Sequence, residues 1–171
     1  DLLDALAFRF PVAVIGELVG IPEEDRDQFR SLVRASTAMI EASPDVEALR
    51  LAERSMAEMG AYFRDLVARR RRAPSDDLIS AMIAIEDADG DRLSEEEMVS
   101  TAILLFGAGF ETTTNLIGNG TLCLLRNPDQ TRRLRNDPSL LPTAVEEMLR
   151  YESPVQLDAR SALVDADIAG R

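Results

Sequence analysis

The chain has 171 residues, 46% of them hydrophobic and 5% aromatic, with no Trp and no His. The lack of His removes the commonest general base and metal ligand, so any chemistry must run on carboxylates, hydroxyls or a bound cofactor. A net charge of −12 argues against nucleic acid as the main partner, because that binding relies on Lys and Arg neutralising phosphates. Residues 1–10 are short and mixed. Pro11 is expected as a first helical residue, and Val12, Val14, Ile15, Leu18 and Val19 form an apolar helix closed by Gly20. Pro22 with Glu23, Glu24 and Asp25 opens the next helix, its acids at the favourable end of the dipole. That helix is expected to run to about Ile40 and stop near Ser43-Pro44. Asp45 to Arg72 predicts a long amphipathic helix with the stripe Leu49, Met56, Met59, Phe63, Leu66 and Val67.

Ser75-Asp76-Asp77 caps a shorter helix through Ile85, and Asp89-Gly90-Asp91 reads as a turn that also fits a small hairpin tip. Ser94 with Glu97 is a capping box that starts a long central helix. Asn127-Pro128-Asp129-Gln130 repeats that logic, with an N-cap, a proline at the first helical position and an acceptor at the third. Pro142 opens a helix through about Tyr151, which Pro154 prevents from continuing. After Pro154, Ala162, Val164, Ala166 and Ile168 alternate as in a β-strand. The expected fold class is therefore mainly α, with the start of a small β region at the C-terminus.

The opening Asp1-Leu2-Leu3-Asp4 lacks the basic and apolar regions of a signal peptide. Thr101 to Phe110 is too short an apolar run to span a membrane. Cys123 stands alone, cannot form an internal disulfide and suggests a reducing cytoplasm. There is no initiator Met, and the sequence stops mid-pattern over Val164–Arg171. Residues 1–171 read as one partial domain of a longer protein.

The central helix breaks its own rules. From Met98 to Leu125 its only charge is Glu111, so it is expected to run through the middle of the protein. Its centre nevertheless holds Gly107, Gly109, Glu111 and three consecutive threonines from Thr112. Glycine in a helix interior costs about 1 kcal/mol against alanine, and a buried carboxylate costs more unless partnered. Thr112 can bond the carbonyl four residues back, that of Ala108, which bends a helix. Small side chains there let a flat, bulky ligand lie against the helix, with Glu111 as a proton-exchanging group beside a hydroxyl. The same residues fit a close helix–helix crossing with Glu111 in a salt bridge. Glu147 and Arg150 share a helix face and fit an ion pair. Their helix, with Pro142, Ala144, Val145, Met148, Leu149 and Tyr151, is expected to be largely buried.

Weaker signals have plain readings. Arg69-Arg70-Arg71-Arg72 suits a solvated helix C-terminus better than a nucleic-acid site. Asp87-Ala88-Asp89-Gly90 with Glu96 resembles a calcium loop, but its first ligand position would fall on Ile85. Asn119-Gly120-Thr121 is formally a glycosylation acceptor inside a helix.

Ala108-Gly109-Phe110-Glu111-Thr112-Thr113 resembles the oxygen-binding segment of the cytochrome P-450 monooxygenases, the haem-thiolate superfamily. Glu147-Met148-Leu149-Arg150 resembles that family's Glu-x-x-Arg motif, with Asn127-Pro128-Asp129-Gln130 between the two. Pro11 to Pro22, Asp76-Asp77-Leu78-Ile79-Ser80 and Gly90-Asp91-Arg92-Leu93-Ser94 fit its soluble bacterial members. The resemblance covers essentially the whole chain. It implies a fragment of the cytochrome P-450 fold with a long central oxygen-binding helix, a haem b cofactor, and insertion of one atom of O₂ into an apolar organic substrate. Electrons would come from NAD(P)H through a ferredoxin and its reductase, to a cytoplasmic monomer with no membrane partner.

It also implies residue roles. Thr112 would hydrogen-bond bound oxygen and pass it protons, with Glu111 feeding them from solvent. Ala108 and Gly109 would lie over the haem face, and Arg160 would reach a haem propionate. Leu104, Ala108, Val155 and Leu157 would line the substrate pocket, and Glu147 with Arg150 would be structural. The iron ligand, a cysteine in a Phe-Gly-x-Gly-x-His-x-Cys-x-Gly loop, lies beyond this chain, so the chain alone is expected to be inactive. Cys123 is no substitute, since it sits roughly 16 Å along the helix from Thr112 at about 1.5 Å per residue. It reads as a small buried hydrophobe. The alternative to the enzyme is a non-enzymatic all-α ligand-binding or interaction domain, in which Glu111 and Thr112 merely satisfy each other.

Overall fold

The computed structural model describes all residues except 37–38, 40–44, 89–92, 158–161, 165–166 and 168–171, and only the backbone of 86–88. Among the described residues there are seven α-helices and no strand. Of the expected β alternation, Ala166 and Ile168 lie outside the described residues, and Ala162 and Val164 are not in a strand. The turn at Asp89-Gly90-Asp91 also lies outside them. The chain divides into two compact units, Asp1–Gly118 and Asn119–Arg171.

In the first unit, a π-helical turn Leu3–Ala7 leads into α1, Arg9–Val19. Pro11 falls in its first turn, where a missing N–H costs nothing. Gly20 closes α1 at φ 97°, a left-handed conformation that glycine takes without strain, and its N–H donates to Gly16 O at 2.9 Å. The acids after Pro22 do not open an α-helix. Asp25 N donates to Pro22 O at 3.1 Å, a three-residue span, and Glu23–Gln28 winds as a 3-10 helix. Helix α2 follows as Phe29–Ser36, and its last residue's Oγ donates back to Val33 O at 2.7 Å. The expected extension to Ile40 lies outside the described residues beyond that point.

Helix α3, Val46–Arg72, starts where Asp45 Oδ1 accepts from Ala48 N at 2.8 Å. It buries Met59, Phe63, Leu66 and Val67, the inner part of its expected stripe. Helix α4, Leu78–Ala88, is capped by Asp77, whose Oδ1 accepts from Ser80 N at 2.8 Å. Helix α5 spans Glu95–Arg126. Its capping box forms reciprocally: Glu97 N donates to Ser94 Oγ at 3.3 Å, and Ser94 N donates to Glu97 Oε2 at 2.7 Å.

The core is centred on Phe29, whose ring packs at 4.9 Å from both Tyr62 and Phe106 and at 5.7 Å from Phe63. Met98, Val99, Ala102, Phe106 and Phe110 of α5 are buried against it at helical spacing. The expectation that all of α5 is interior is corrected here. Leu104 and Leu125 are exposed, because only one side of the helix meets the core.

The second unit holds the end of α5, α6 (Pro128–Asn136), a 3-10 turn Pro138–Leu140, and α7 (Leu141–Tyr151). Asn127 departs from its expected role. Its side chain makes no cap on α6, and Nδ2 donates backward to Cys123 O at 2.8 Å, satisfying a carbonyl at the end of α5. Thr131 Oγ1 donates to Leu124 O at 2.5 Å for the same end. No helix among the described residues is long and apolar enough to cross a membrane.

Candidate functional site

The middle of α5 stays α-helical through its glycines and threonines. Thr112 Oγ1 donates to Ala108 O at 2.8 Å, and Thr113 Oγ1 donates to Gly109 O at 3.0 Å. Both bonds are the i−4 back-bonds that β-branched hydroxyls can make within a helix. Thr114 behaves differently, its Oγ1 being buried with no hydrogen-bond partner among the described residues. Leu104, Ala108 and Thr112 recur every fourth residue, so they share one side of the helix. Leu104 and Ala108 are exposed and Thr112 half-buried. Among the described residues, this row of α5 carries no charged side chain.

Gly109 points elsewhere. A Cβ added there would stand 2.8 Å from Ile15 Cγ1 and 3.3 Å from Ile15 Cβ, so its bare side is filled by α1. Gly107 faces α2 in the same way but more loosely, 3.7 Å from Val33 Cγ1. The small residues thus serve a close helix crossing at Gly109 and an open surface at Ala108. Of the two sequence readings, a close helix crossing is present at Gly109, and Ala108 is exposed on another side of the helix.

Glu111 is half-buried, and its carboxyl is pushed above the ordinary carboxylate value by that burial, with the Arg34 guanidinium pulling the other way. No hydrogen bond links Glu111 and Thr112 among the described residues. Consecutive helical residues point about 100° apart and do not face each other. The pairing of Arg34 and Ile15 with this segment carried no signal in the sequence. Ile15 packs on it from α1 and Arg34 acts on Glu111 electrostatically from α2, and no local pattern encodes either.

Glu147 and Arg150 pair in two parallel bonds, Nε to Oε2 and Nη2 to Oε1, each 2.7 Å. The pair holds the Glu147 carboxyl below its ordinary value and raises the Arg150 guanidinium. The expected burial of this helix is corrected: Glu147, Arg150, Val145, Leu149 and Tyr151 are exposed. Helix α7 turns Met148 inward, its Sδ 2.6 Å from where a Cβ on Gly120 would stand. A groove of about 380 Å³ lies inside this unit, lined by Cys123, Leu134, Thr143, Glu147, Met148 and Tyr151 among others. Cys123 is half-buried there rather than fully enclosed.

Val155 and Leu157 are exposed, and Arg160 lies outside the described residues. So do Asp89 and Gly90 of the calcium-like loop. No group of three His, Cys, Asp or Glu that could hold a metal ion occurs among the described residues. The arginine run is only partly solvated. Arg70 forms a buried ion pair with Asp77 and donates through Nη2 to Gly20 O at 2.7 Å. Asn119 Nδ2 donates to Glu152 O at 3.5 Å within the second unit.

Comparison with known proteins places these features in context. The sequence pattern of one family, Cytochrome P450, matches residues 46–171. The chain is 46% identical over 171 residues to a vitamin D(3) 25-hydroxylase of Pseudonocardia autotrophica, covering 99% of this chain and 41% of that protein. It is 45% identical over 165 residues to the biotin biosynthesis cytochrome P450 of Bacillus subtilis, covering 95% of this chain and 41% of that one. Its backbone follows the crystal structure of P450BioI in complex with hexadec-9Z-enoic acid ligated acyl carrier protein. That match has a TM-score of 0.91 and 43% identity, covering 99% of this chain and 43% of the other. The chain therefore spans about two fifths of the length of the relatives it matches.

Proposed function

Because this chain belongs to the cytochrome P450 family, we propose that the whole protein is a haem-dependent monooxygenase acting on an apolar organic substrate. The observation that carries this reading is the Thr112–Ala108 hydroxyl–carbonyl bond on an open, uncharged side of α5. A flat apolar macrocycle suits that side, where the small Ala108 lies low between Leu104 and Thr112. Bound haem would supply the redox chemistry that activates O₂, with its thiolate ligand coming from a segment outside this chain.

The chain's own residues then have defined tasks. Leu104 and Ala108 present apolar surface to the substrate and keep water away from the reacting side. Val155 and Leu157 extend that surface, and Arg160 holds a carboxylate of the cofactor. The Thr112 hydroxyl has one hydrogen to donate and two lone pairs to accept with. While it donates to Ala108 O, it accepts a proton donor's hydrogen bond. Glu111 keeps its proton to a higher pH than an exposed glutamate, because burial disfavours its charged form. As the two side chains diverge, a bridging water takes the proton from Glu111 and passes one of its own to the reacting side, while the Thr112 hydroxyl holds that water by accepting its hydrogen bond. Glu147 and Arg150 are structural, and Gly109 supports the cofactor wall from behind. Both compact units belong to one catalytic domain. Electrons arrive from NAD(P)H through a ferredoxin and its reductase, and the whole protein works as a cytoplasmic monomer.

The test is Thr112→Ala in the haem-loaded whole protein, supplied with NADH, ferredoxin and reductase. Loss of the positioned hydroxyl is expected to divert reducing equivalents from product to hydrogen peroxide. Parental coupling in the variant would remove Thr112 from proton delivery.

A further inference from the structure

Helix α1 and the turn before it pack against α5 at three places. Ile15 meets Gly109, Phe8 stacks edge-on against Phe110 at 5.6 Å, and Leu3 meets Gly118. Two glycines on α5 thus act as notches for two aliphatic side chains, but the notches differ in depth. At Gly118 a Cβ would approach only Leu3 Cδ2, at 2.8 Å, the far end of a flexible side chain. At Gly109 it would approach Ile15 Cγ1 at 2.8 Å, Cδ1 at 2.9 Å and Cβ at 3.3 Å. The last of these is fixed to the backbone of α1, so a rotamer change alone leaves it there and α1 must give by a few tenths of an ångström. Ile is moreover stiff about χ1 in a helix.

The Gly109 Cα belongs to the same planar peptide unit as the Ala108 carbonyl. That carbonyl accepts the Thr112 hydroxyl at 2.8 Å. Whatever presses on Gly109 from α1 therefore moves the acceptor that orients Thr112, one turn further along the same helix. We infer that Ile15 is a positioning residue: seated in the Gly109 notch, it sets the Ala108 carbonyl and, through it, the direction of the Thr112 hydroxyl. This rests on the monooxygenase reading of Thr112. Misplacing a reacting group by about 1 Å can cost on the order of 100-fold, so a displaced peptide is enough to matter.

The experiment uses the haem-loaded whole protein and its Gly109→Ala, Ile15→Ala, double and Gly118→Ala variants. Two quantities are read: hydrogen peroxide released per NADH consumed, and the melting midpoint. Gly109→Ala is expected to raise peroxide release severalfold and to lower the midpoint, although alanine is the better helix former. Ile15→Ala empties the notch and is expected to raise peroxide release less. The double variant, with room for the new methyl, is expected to return both quantities toward the parent. Gly118→Ala touches only the end of Leu3 and is expected to leave peroxide release at the parental ratio. Parental peroxide release in Gly109→Ala and Ile15→Ala, no recovery in the double variant, or an equal rise in Gly118→Ala would each overturn the inference. A parent protein that binds no haem would overturn the functional reading as well, which separates the two failures.

Discussion

Thr112 and Glu111 stand next to each other in the chain and point apart in space, and this governs what each substitution should do. Thr112→Ser keeps the hydroxyl and the bond to Ala108 O, so it is expected to retain most of the parental coupling. Thr112→Val keeps the shape but loses donor and acceptor, and positioned proton transfer contributes on the order of 100-fold or more. A large loss of coupled turnover with undiminished NADH consumption is the expected result, read as product and peroxide yields. Glu111 makes a separate prediction about stability. Its folded pKa is raised by burial, so the folded state binds its proton more tightly than the unfolded state does. Its protonated form therefore favours folding below the ordinary carboxylate value, and that contribution is lost as pH rises through the folded pKa. Above that point the charge is held at a desolvation cost, which Arg34 offsets in part. Glu111→Gln is expected to melt higher than the parent at neutral pH and to match it in acid. The reverse trend in melting midpoints with pH would contradict the assignment.

At the scale of elements, the end of α3 and the start of α4 are fastened by one ion pair. Arg70 and Asp77 pair with side chains 19% and 2% exposed, and Arg70 also reaches Gly20 O at the end of α1. Removing one partner leaves the other charge buried and unpaired, so Asp77→Ala is expected to cost about 3–5 kcal/mol in urea unfolding of the whole protein. A loss within the range of a surface pair, about 0–1 kcal/mol, would count against that view. Elements of this kind were legible in the sequence to different depths. The caps at Asp45 and Ser94, the stop at Gly20 and the long stripe of α3 are local chemistry, readable from spacing alone. Asn127 was misread because its side chain serves either the helix before it or the helix after it, and only the fold decides which. The burial of α7 was misjudged because its apolar residues say what could be covered, without saying which faces meet another element. The packing of Ile15 against Gly109 was not legible, because the two are distant in sequence.

For the whole molecule, charge and exposed apolar surface pull in opposite directions. Leu2, Leu6, Phe10, Val14 and Leu18 recur every fourth residue and are 40–58% exposed, forming an apolar ridge along α1 and the turn before it. A net charge of −12 keeps copies apart at low ionic strength, where screening is weak. The 171-residue chain expressed alone is therefore expected to associate as salt is added, measured by sedimentation velocity, whereas unchanged sedimentation would show the ridge to be inert. The central claim concerns the protein at full length, of which relatives show this chain to span about two fifths. Its most direct test is the carbon monoxide difference spectrum of the reduced, full-length protein. A Soret band of the thiolate-ligated type is predicted, with the cofactor bound one per chain. No haem, or a band of the histidine-ligated type, would contradict the account and leave a helical binding domain in its place.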